Sequence, residues 1–322
     1  MKSQRDDPAL AARLDAVLPR LRADLQIDET TEWRVVKVWS KRKKMLFEVE
    51  ELNQQQHRTL VGRMVRADRN RACFQALEAL WAGGLRPPST FTVPQPIGHL
   101  SNWEVILQEK APGDLLDHLL ARDAGTAGRS AVMAGEWLNA LHSLPLEMSA
   151  HVSMLPRLDL WVAAVRELSP QHARTLERIH SRISMQLADT PDRMLVPSHG
   201  DFHATNIFIS ETGRVTGIDF DNFGGRERAA DLGYFLGQTA ARGFRKTGSF
   251  SSTADSRAAF IQGYATAAHG GMPPHVRIGS FIGATFLRLL HDDLYLMKSG
   301  RTDLIPPWLE AAERAAFRID LE

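Results

Sequence analysis

The stretch His199 to Asn206, HGDFHATN, crowds two histidines, an aspartate and an asparagine into eight positions. Three chemistries are open to it: a metal cluster through the histidines, a catalytic loop through Asp201 and Asn206, or a polar turn. Histidines four apart serve zinc when a helix brings both rings to one face, and Gly200 between strand-like flanks argues against that helix. Downstream, NIFI, a turn at SETG and RVTGIDF read as a hairpin. Asn206 opens its first strand and Asp219 closes its second, so antiparallel pairing returns both to one end. Paired strands lie about 4.8 Å apart. An amide oxygen and a carboxylate at that separation suit a hard cation such as magnesium, which takes its other ligands from water and substrate phosphates.

The order Asp201, four residues, Asn206 is the D-x-x-x-x-N of a kinase catalytic loop, and IDFD, 218–221, stands where D-F-G would stand. In that logic Asp201 orients the attacking hydroxyl and takes its proton, while Asn206 and Asp219 hold Mg2+ on the β- and γ-phosphates of a nucleotide. His199 braces the loop, and His203 lies near the site without ligating. Two other readings of the same letters lack their context. A binuclear phosphoesterase needs further metal-binding stretches that do not follow, and a phosphoaspartyl nucleophile in DFDN needs a parallel α/β surround.

These groups need a scaffold, and the hydrophobic pattern supplies one. WRVVKVW, MLFEVEEL and TLVGRMV, between Trp33 and Arg66, predict three antiparallel strands separated by SKRKK and NQQQHR. RACFQALEALWAGG carries Phe74, Leu77, Leu80 and Trp81 at helical spacing, with Gly83 and Gly84 as the stop. Two more strands follow, around FTVPQPIGHL and NWEVILQE, with a turn at Ser101 and Asn102. KAPGD, 110–114, ends the β-rich part. Beyond Leu115 the pattern turns helical, in AVMAGEWLNALHSL and RIGSFIGATFLRLLHDDLYLM. RKTGSFSSTADS, 245–256, reads as a polar loop. The expectation is an α+β protein of two lobes, 1–109 and 110–322, with the catalytic hairpin embedded in the second.

HGDFHATN, IDFD and AADLGYFL, together with VILQEKAPGDLL and WLNALHSL in the same order, resemble the aminoglycoside phosphotransferase and choline kinase-like family over most of the chain. The resemblance implies a bilobal protein-kinase-like fold, with one main helix in a β-rich N-terminal nucleotide-binding lobe. It implies a Mg2+-dependent transfer of the γ-phosphoryl group of ATP or GTP to a hydroxyl of a small molecule. Asp201 would be the base, Asn206 and Asp219 the metal ligands, and Asp231 a brace for the loop. The backbone of Gln108 and Lys110 would meet the adenine. Arg63 falls where the family's β3 lysine stands and, as in choline kinases, would offer its planar fork to phosphate; its alternative is a surface strand residue. Lys37, on the first strand, is the weaker candidate. The phosphate loop, Ser40, Lys41, Arg42, Lys43 and Lys44, lacks the glycine that lets backbone approach phosphate. Its four cations either neutralise phosphate through side chains or form a solvated hairpin tip. The helix glutamate that should pair with Arg63 is missing: Cys73 or Phe74 holds its register, and Glu78 lies one turn later. These departures keep a second reading open, a catalytically weak nucleotide-binding pseudokinase-like module.

Composition narrows the partners. Among 322 residues, 39 basic against 38 acidic side chains give a net charge of +1, which argues against nucleic acid or an anionic membrane as the main partner. No aromatics interleave with KRKK. The single Cys73 rules out an intrachain disulfide, reads as a packed thiol and fits a reducing compartment. The start, MKSQRDDPALAARLDAVLPRL, is too charged for a secretory core and reads as an amphipathic helix. No apolar run reaches the ~20 residues of a membrane span. The expectation is a cytoplasmic monomer or homodimer. His142 reads as packing or capping, and Asp292 and Asp293 as a solvated helix end or a face toward a cationic substrate.

Overall fold

The computed structural model describes residues 14, 18–27, 31–41, 44–52, 57–64, 67–101, 105–148, 152–188, 195–268 and 271–317. The chain divides into two units, Met1–Gly113 with Ser210–Asp221 and Asp114–Ile209 with Asn222–Glu322.

In the first unit the alternating segments form β1 (Glu32–Lys41), β2 (Lys44–Leu52) and β3 (His57–Met64), followed by α1 (Ala67–Ala82), β4 (Phe91–Thr92), β5 (Pro96–Leu100) and β6 (Val105–Glu109). Five of these strands make one sheet in the order β1-β2-β3-β6-β5, antiparallel at every pairing. Period-two alternation sends Phe47, Val49, Leu60, Val105 and Leu107 to one face, where Trp33, Val38 and Leu100 join them. Leu14, Leu18 and Leu21 cover that face. Each such side chain contributes about 1.5–3 kcal/mol by leaving water. The predicted N-terminal helix is helical at 18–24, and most of its first seventeen residues lie outside the described residues, as does Asn102 of the predicted turn. Beyond the sheet, β4 pairs in parallel with β10 (Val215–Gly217), a pairing that no local pattern announces.

The second unit is helical. It contains the short β7 (Asp114–Leu115), α2 (Leu116–Leu119), α3 (Ala124–His142), α4 (Leu155–Leu168), α5 (Ala173–Leu187), β8 (Leu195–Ser198), β9 (Ile207–Ile209), β11 (Gly224–Glu227), α6 (Arg228–Thr247), α7 (Ala254–Ala267), α8 (His275–His291) and α9 (Ile305–Phe317). Residues Ile278 to Leu287 of α8 are buried without interruption, which makes it the central helix. The close approach of α3 and α7 requires Gly135, since a Cβ there would stand 2.2 Å from the Phe260 carbonyl oxygen.

Two expectations change, and one strand forms where no pattern announced it. The polar stretch 245–256 is not an open loop: α6 runs to Thr247 and is capped at Gly248, and a 3-10 turn at Ser251–Thr253 leads into α7. GGRE forms β11, antiparallel to β8, although two glycines mask its strand character. Asp293 is not a solvated helix end; it is buried and pairs with Arg245 at 2.6 Å. Among the described residues no helix is long and apolar enough to cross a membrane.

Candidate active site

The loop after β8 hangs from one buried carboxylate. Asp231, in the first turn of α6, is 1% exposed. Its Oδ2 accepts from the Ser198 hydroxyl and the His199 amide, both at 2.8 Å, and Oδ1 accepts from the Gly200 amide at 2.9 Å. His142 Nε2 lies 3.2 Å from Oδ2, and His142 Nδ1 lies 2.9 Å from the Tyr264 hydroxyl. Burial works against ionisation of Asp231, but the hydrogen bond from His142 and the neighbouring positive charge, that of Arg226 included, together outweigh it and hold the carboxyl well below the usual range. Burial lowers the His142 pKa in turn, favouring the neutral ring. Gly200 takes φ +75°, and a Cβ there would meet the Asn222 carbonyl oxygen at 2.2 Å. Phe202 is fully buried and stacks on Trp137 at 5.6 Å. With its neighbours fixed on both sides, Asp201 has little freedom.

The Asp201 carboxylate accepts from Arg288 Nη2 at 2.9 Å, and His203 Nε2 lies 3.6 Å away. Arg288 in turn stacks over Tyr234, 4.6 Å from the ring centre. Burial would raise the Asp201 pKa, but the His203 hydrogen bond, the Arg288 charge and the Tyr234 hydroxyl overcome it and keep the group ionised far below the usual carboxylate range. Asn206 is buried at the end of a 3-10 turn, and its Nδ2 donates to the Asp201 carbonyl at 3.0 Å. That bond turns the amide oxygen into the group left for a ligand.

In the other unit, Arg63 of β3 is 8% exposed, not a surface strand residue. Its Nη1 lies 3.2 Å from Asp219 Oδ1, and Nη2 lies 2.6 Å from Asp221 Oδ1. Asp219 itself sits at φ +66°, a left-handed conformation that costs a non-glycine residue about 1–2 kcal/mol and recurs at ligand sites. The carboxylate missing from α1 is therefore supplied by Asp221. Cys73, which holds the helix position, has its thiol pushed up to about 12 by burial.

Of the remaining sequence candidates, Gln108 lies in β6 opposite Val61 and Pro96. The Lys110 amide donates to the Thr59 carbonyl at 2.9 Å, so it is committed within the protein, and the Lys110 ammonium pairs with Glu48 at 2.8 Å. Ser40 and Lys41 are the last residues of β1, opposite Met45 and Lys44. Arg42 and Lys43 lie outside the described residues. His199 is fully buried, with its ring edge-on to Trp137 and Phe202, whereas His203 lies beside Asp201. Among the described residues no three His, Cys, Asp or Glu side chains group so as to hold a metal. Asn206 offers an amide oxygen and Asp219, in the other unit, a carboxylate; each by itself is a hard donor of the kind Mg2+ takes.

Arg288, Tyr234, His142 and Asp221 all contact the expected groups without having been singled out for that. For His142 the signal was present: a histidine on an apolar helix face needs a buried partner. Comparison with curated proteins gave no match. Solved structures share the fold. An ethanolamine kinase from Plasmodium vivax aligns with a TM-score of 0.63 at 13% identity, over 98% of this chain and 91% of that one. Choline kinase LicA from Streptococcus pneumoniae aligns with a TM-score of 0.59 at 12% identity, over 94% and 99%. A spectinomycin phosphotransferase in complex with ADP and spectinomycin aligns with a TM-score of 0.58 at 12% identity, over 90% and 93%. The fold of these small-molecule kinases is α+β and protein-kinase-like, with a β-sheet N-terminal region and a mostly helical C-terminal part. The pattern of the APH phosphotransferase enzyme family matches residues 52–276, and the chain belongs to that family.

Proposed function

We propose that this protein transfers the γ-phosphoryl group of ATP or GTP to a hydroxyl of a small molecule, with Mg2+. The observation that carries the reading is the Asp201 carboxylate, held ionised by Arg288 and His203 on a loop that Asp231 fixes from beneath. The acceptor hydroxyl would donate a hydrogen bond to Asp201, its oxygen would attack the γ-phosphorus, and the bond from that phosphorus to the bridging oxygen would break. The proton passes to Asp201 and the nucleoside diphosphate leaves. Because phosphoryl transfer proceeds through a loose transition state, the base need not be strong; fixed position and permanent charge are the useful properties.

Asn206 and Asp219 would hold the magnesium ion, which when bound neutralises charge on the β- and γ-phosphates. Arg63, kept rigid by Asp221, would offer its guanidinium to phosphate, and Ser40 to Lys43 would flank the nucleotide. The hinge at Gln108 and Lys110 would meet the base, with Lys110 contributing its carbonyl, since its amide already has a partner. Residues 1–109 would thus serve the nucleotide, and 110–322 the chemistry and the acceptor. A buried Cys73 suits the cytoplasm.

The test is acceptor-dependent nucleoside diphosphate release by wild type and Asp201→Ala. Loss of release with retained nucleotide binding supports the assignment; equal release by the variant removes Asp201 from it.

A further inference from the structure

A cavity of the helical unit, about 640 Å³ counting space open to solvent, adjoins the loop that carries Asp201. Its walls carry more cations than carboxylates. Three arginines reach it from three different elements: Arg157 from the first turn of α4, Arg226 from β11 and Arg288 from α8. Among the described residues two carboxylates line the same space, and both are spoken for. Glu227 is gripped by the Nε and Nη2 of Arg277, and Asp231 is turned into the loop amides. Neither can meet a cationic acceptor without abandoning a buried partner, which costs about 3–5 kcal/mol.

The arginines are differently placed. Arg288 pairs with Asp201. Arg226 donates to the backbone carbonyl of Asn222 at 2.8 Å and lies against Gly200, so near that a Cβ there would meet its Nη1 at 2.6 Å. That puts its charge one residue from Asp201, bonded to a neutral carbonyl. Arg157 is exposed at the rim, one helical turn before Trp161, so the two share a face of α4 that opens on the cavity. Burial depresses the Arg226 pKa, the Asp231 and Asp201 charges oppose it, and the charges of Arg157 and Arg288 add to it, so the cations stand close enough to feel one another. Tyr234, Phe281 and Ala284 supply the apolar side.

The geometry points to an acceptor that is itself an anion: a hydroxyl compound whose carboxylate or phosphate group is held by Arg157 and Arg226 while its hydroxyl reaches Asp201. This deepens the proposed phosphotransfer and rests on it. A planar guanidinium pair matches either oxyanion by two parallel N–H donors, and Trp161 with Tyr234 would cover the carbon skeleton.

The experiment compares acceptors that differ only at one terminus: gluconate, sorbitol and 1-amino-1-deoxysorbitol, and glycerate, glycerol and 3-amino-1,2-propanediol, with glycerol 3-phosphate and sorbitol 6-phosphate as the phosphate arm. Nucleoside diphosphate release with MgATP is read alongside direct binding of each compound by calorimetry. Anions are expected to exceed their cationic counterparts at least tenfold in kcat/KM or in affinity, the carboxylate and phosphate arms distinguishing the two sources of charge. In Arg157→Ala the anion's KM or Kd should rise about tenfold to a hundredfold, the range for a lost charge-assisted hydrogen bond, Arg157→Lys should recover part of it, and Arg157→Glu should invert the preference. Arg157 is exposed, and circular dichroism confirms that each variant is folded.

Preference for the amines, equal use of all three termini, or no binding of any anion overturns the inference while leaving phosphotransfer standing. A rise in the KM for ATP in place of the acceptor KM overturns it too, by giving Arg157 to the nucleotide. Anion binding that depends on Arg157, without any ATP turnover, would keep the anion site and sink the proposed reaction.

Discussion

Replacing Asp231 by alanine strikes the loop at its support without touching any group that would meet substrate. The carboxylate is 1% exposed and accepts three hydrogen bonds at 2.8, 2.8 and 2.9 Å from Ser198, His199 and Gly200. In the variant three buried donors lose their acceptor. Each such loss costs about 1–3 kcal/mol, and water entering the vacated space returns part of it, so the net expectation is about 3–5 kcal/mol. Against a total stability on the order of 5–15 kcal/mol, that is a large fraction. Urea unfolding followed by tryptophan fluorescence and circular dichroism measures it as a lower midpoint at unchanged slope. The pH dependence supplies an independent check. The folded carboxyl is depressed, so its contribution is fully present above the unfolded value of about 3.9 and fades as pH falls through the folded value. The gap between wild type and variant should therefore be complete at pH 7 and shrink only below about pH 4. A loss under about 1 kcal/mol at pH 7, or a gap that closes between pH 7 and 5, would refute the view that this carboxylate holds the loop.

Three further outcomes follow from the same geometry. Gly200→Ala should lose activity and lower Tm, because the left-handed backbone alone costs about 1–2 kcal/mol and the Asn222 carbonyl blocks the new Cβ; a variant indistinguishable from wild type by melting and turnover would show the loop to be pliable. Arg63→Met should weaken nucleotide binding at least about tenfold, one lost charge-assisted contact, and destabilise by about 3 kcal/mol, since Asp219 and Asp221 lose their common cation; unchanged nucleotide affinity in calorimetry would confine Arg63 to a structural role. Cys73, buried with its thiol pushed up to about 12, should resist a thiol reagent at pH 8 in the folded protein and react on unfolding, whereas prompt native labelling would contradict its placement.

The sequence was most legible where chemistry and periodicity coincide. Alternation in MLFEVEEL and TLVGRMV located β2 and β3 because half-buried strands need it, and the spacing of Asp201 and Asn206 located the loop because one turn of backbone must join them. What stayed hidden depends on contacts between residues far apart in the chain. Arg288 meets Asp201 across 87 positions and Asp221 meets Arg63 from the far side of a hairpin; neither has a local pattern. The glycines of GGRE concealed β11, whose place is set by pairing to β8, and the polar letters of 245–256 concealed a helix end, a 3-10 turn and a helix start. Asp293 resembled a solvated tip because Arg245, its partner, is 48 residues away.

The central claim is that Asp201 serves phosphoryl transfer to a hydroxyl. Phosphorus NMR of MgATP with the acceptor panel, wild type beside Asp201→Asn, reads it most directly by resolving phosphorylated acceptor from free phosphate. The account predicts a new phosphate ester signal with wild type and a rate about 10²–10⁴-fold lower in the variant, with nucleotide binding retained. An ester formed equally by both proteins, or binding of nucleotide by wild type with no ester from any acceptor, would contradict it.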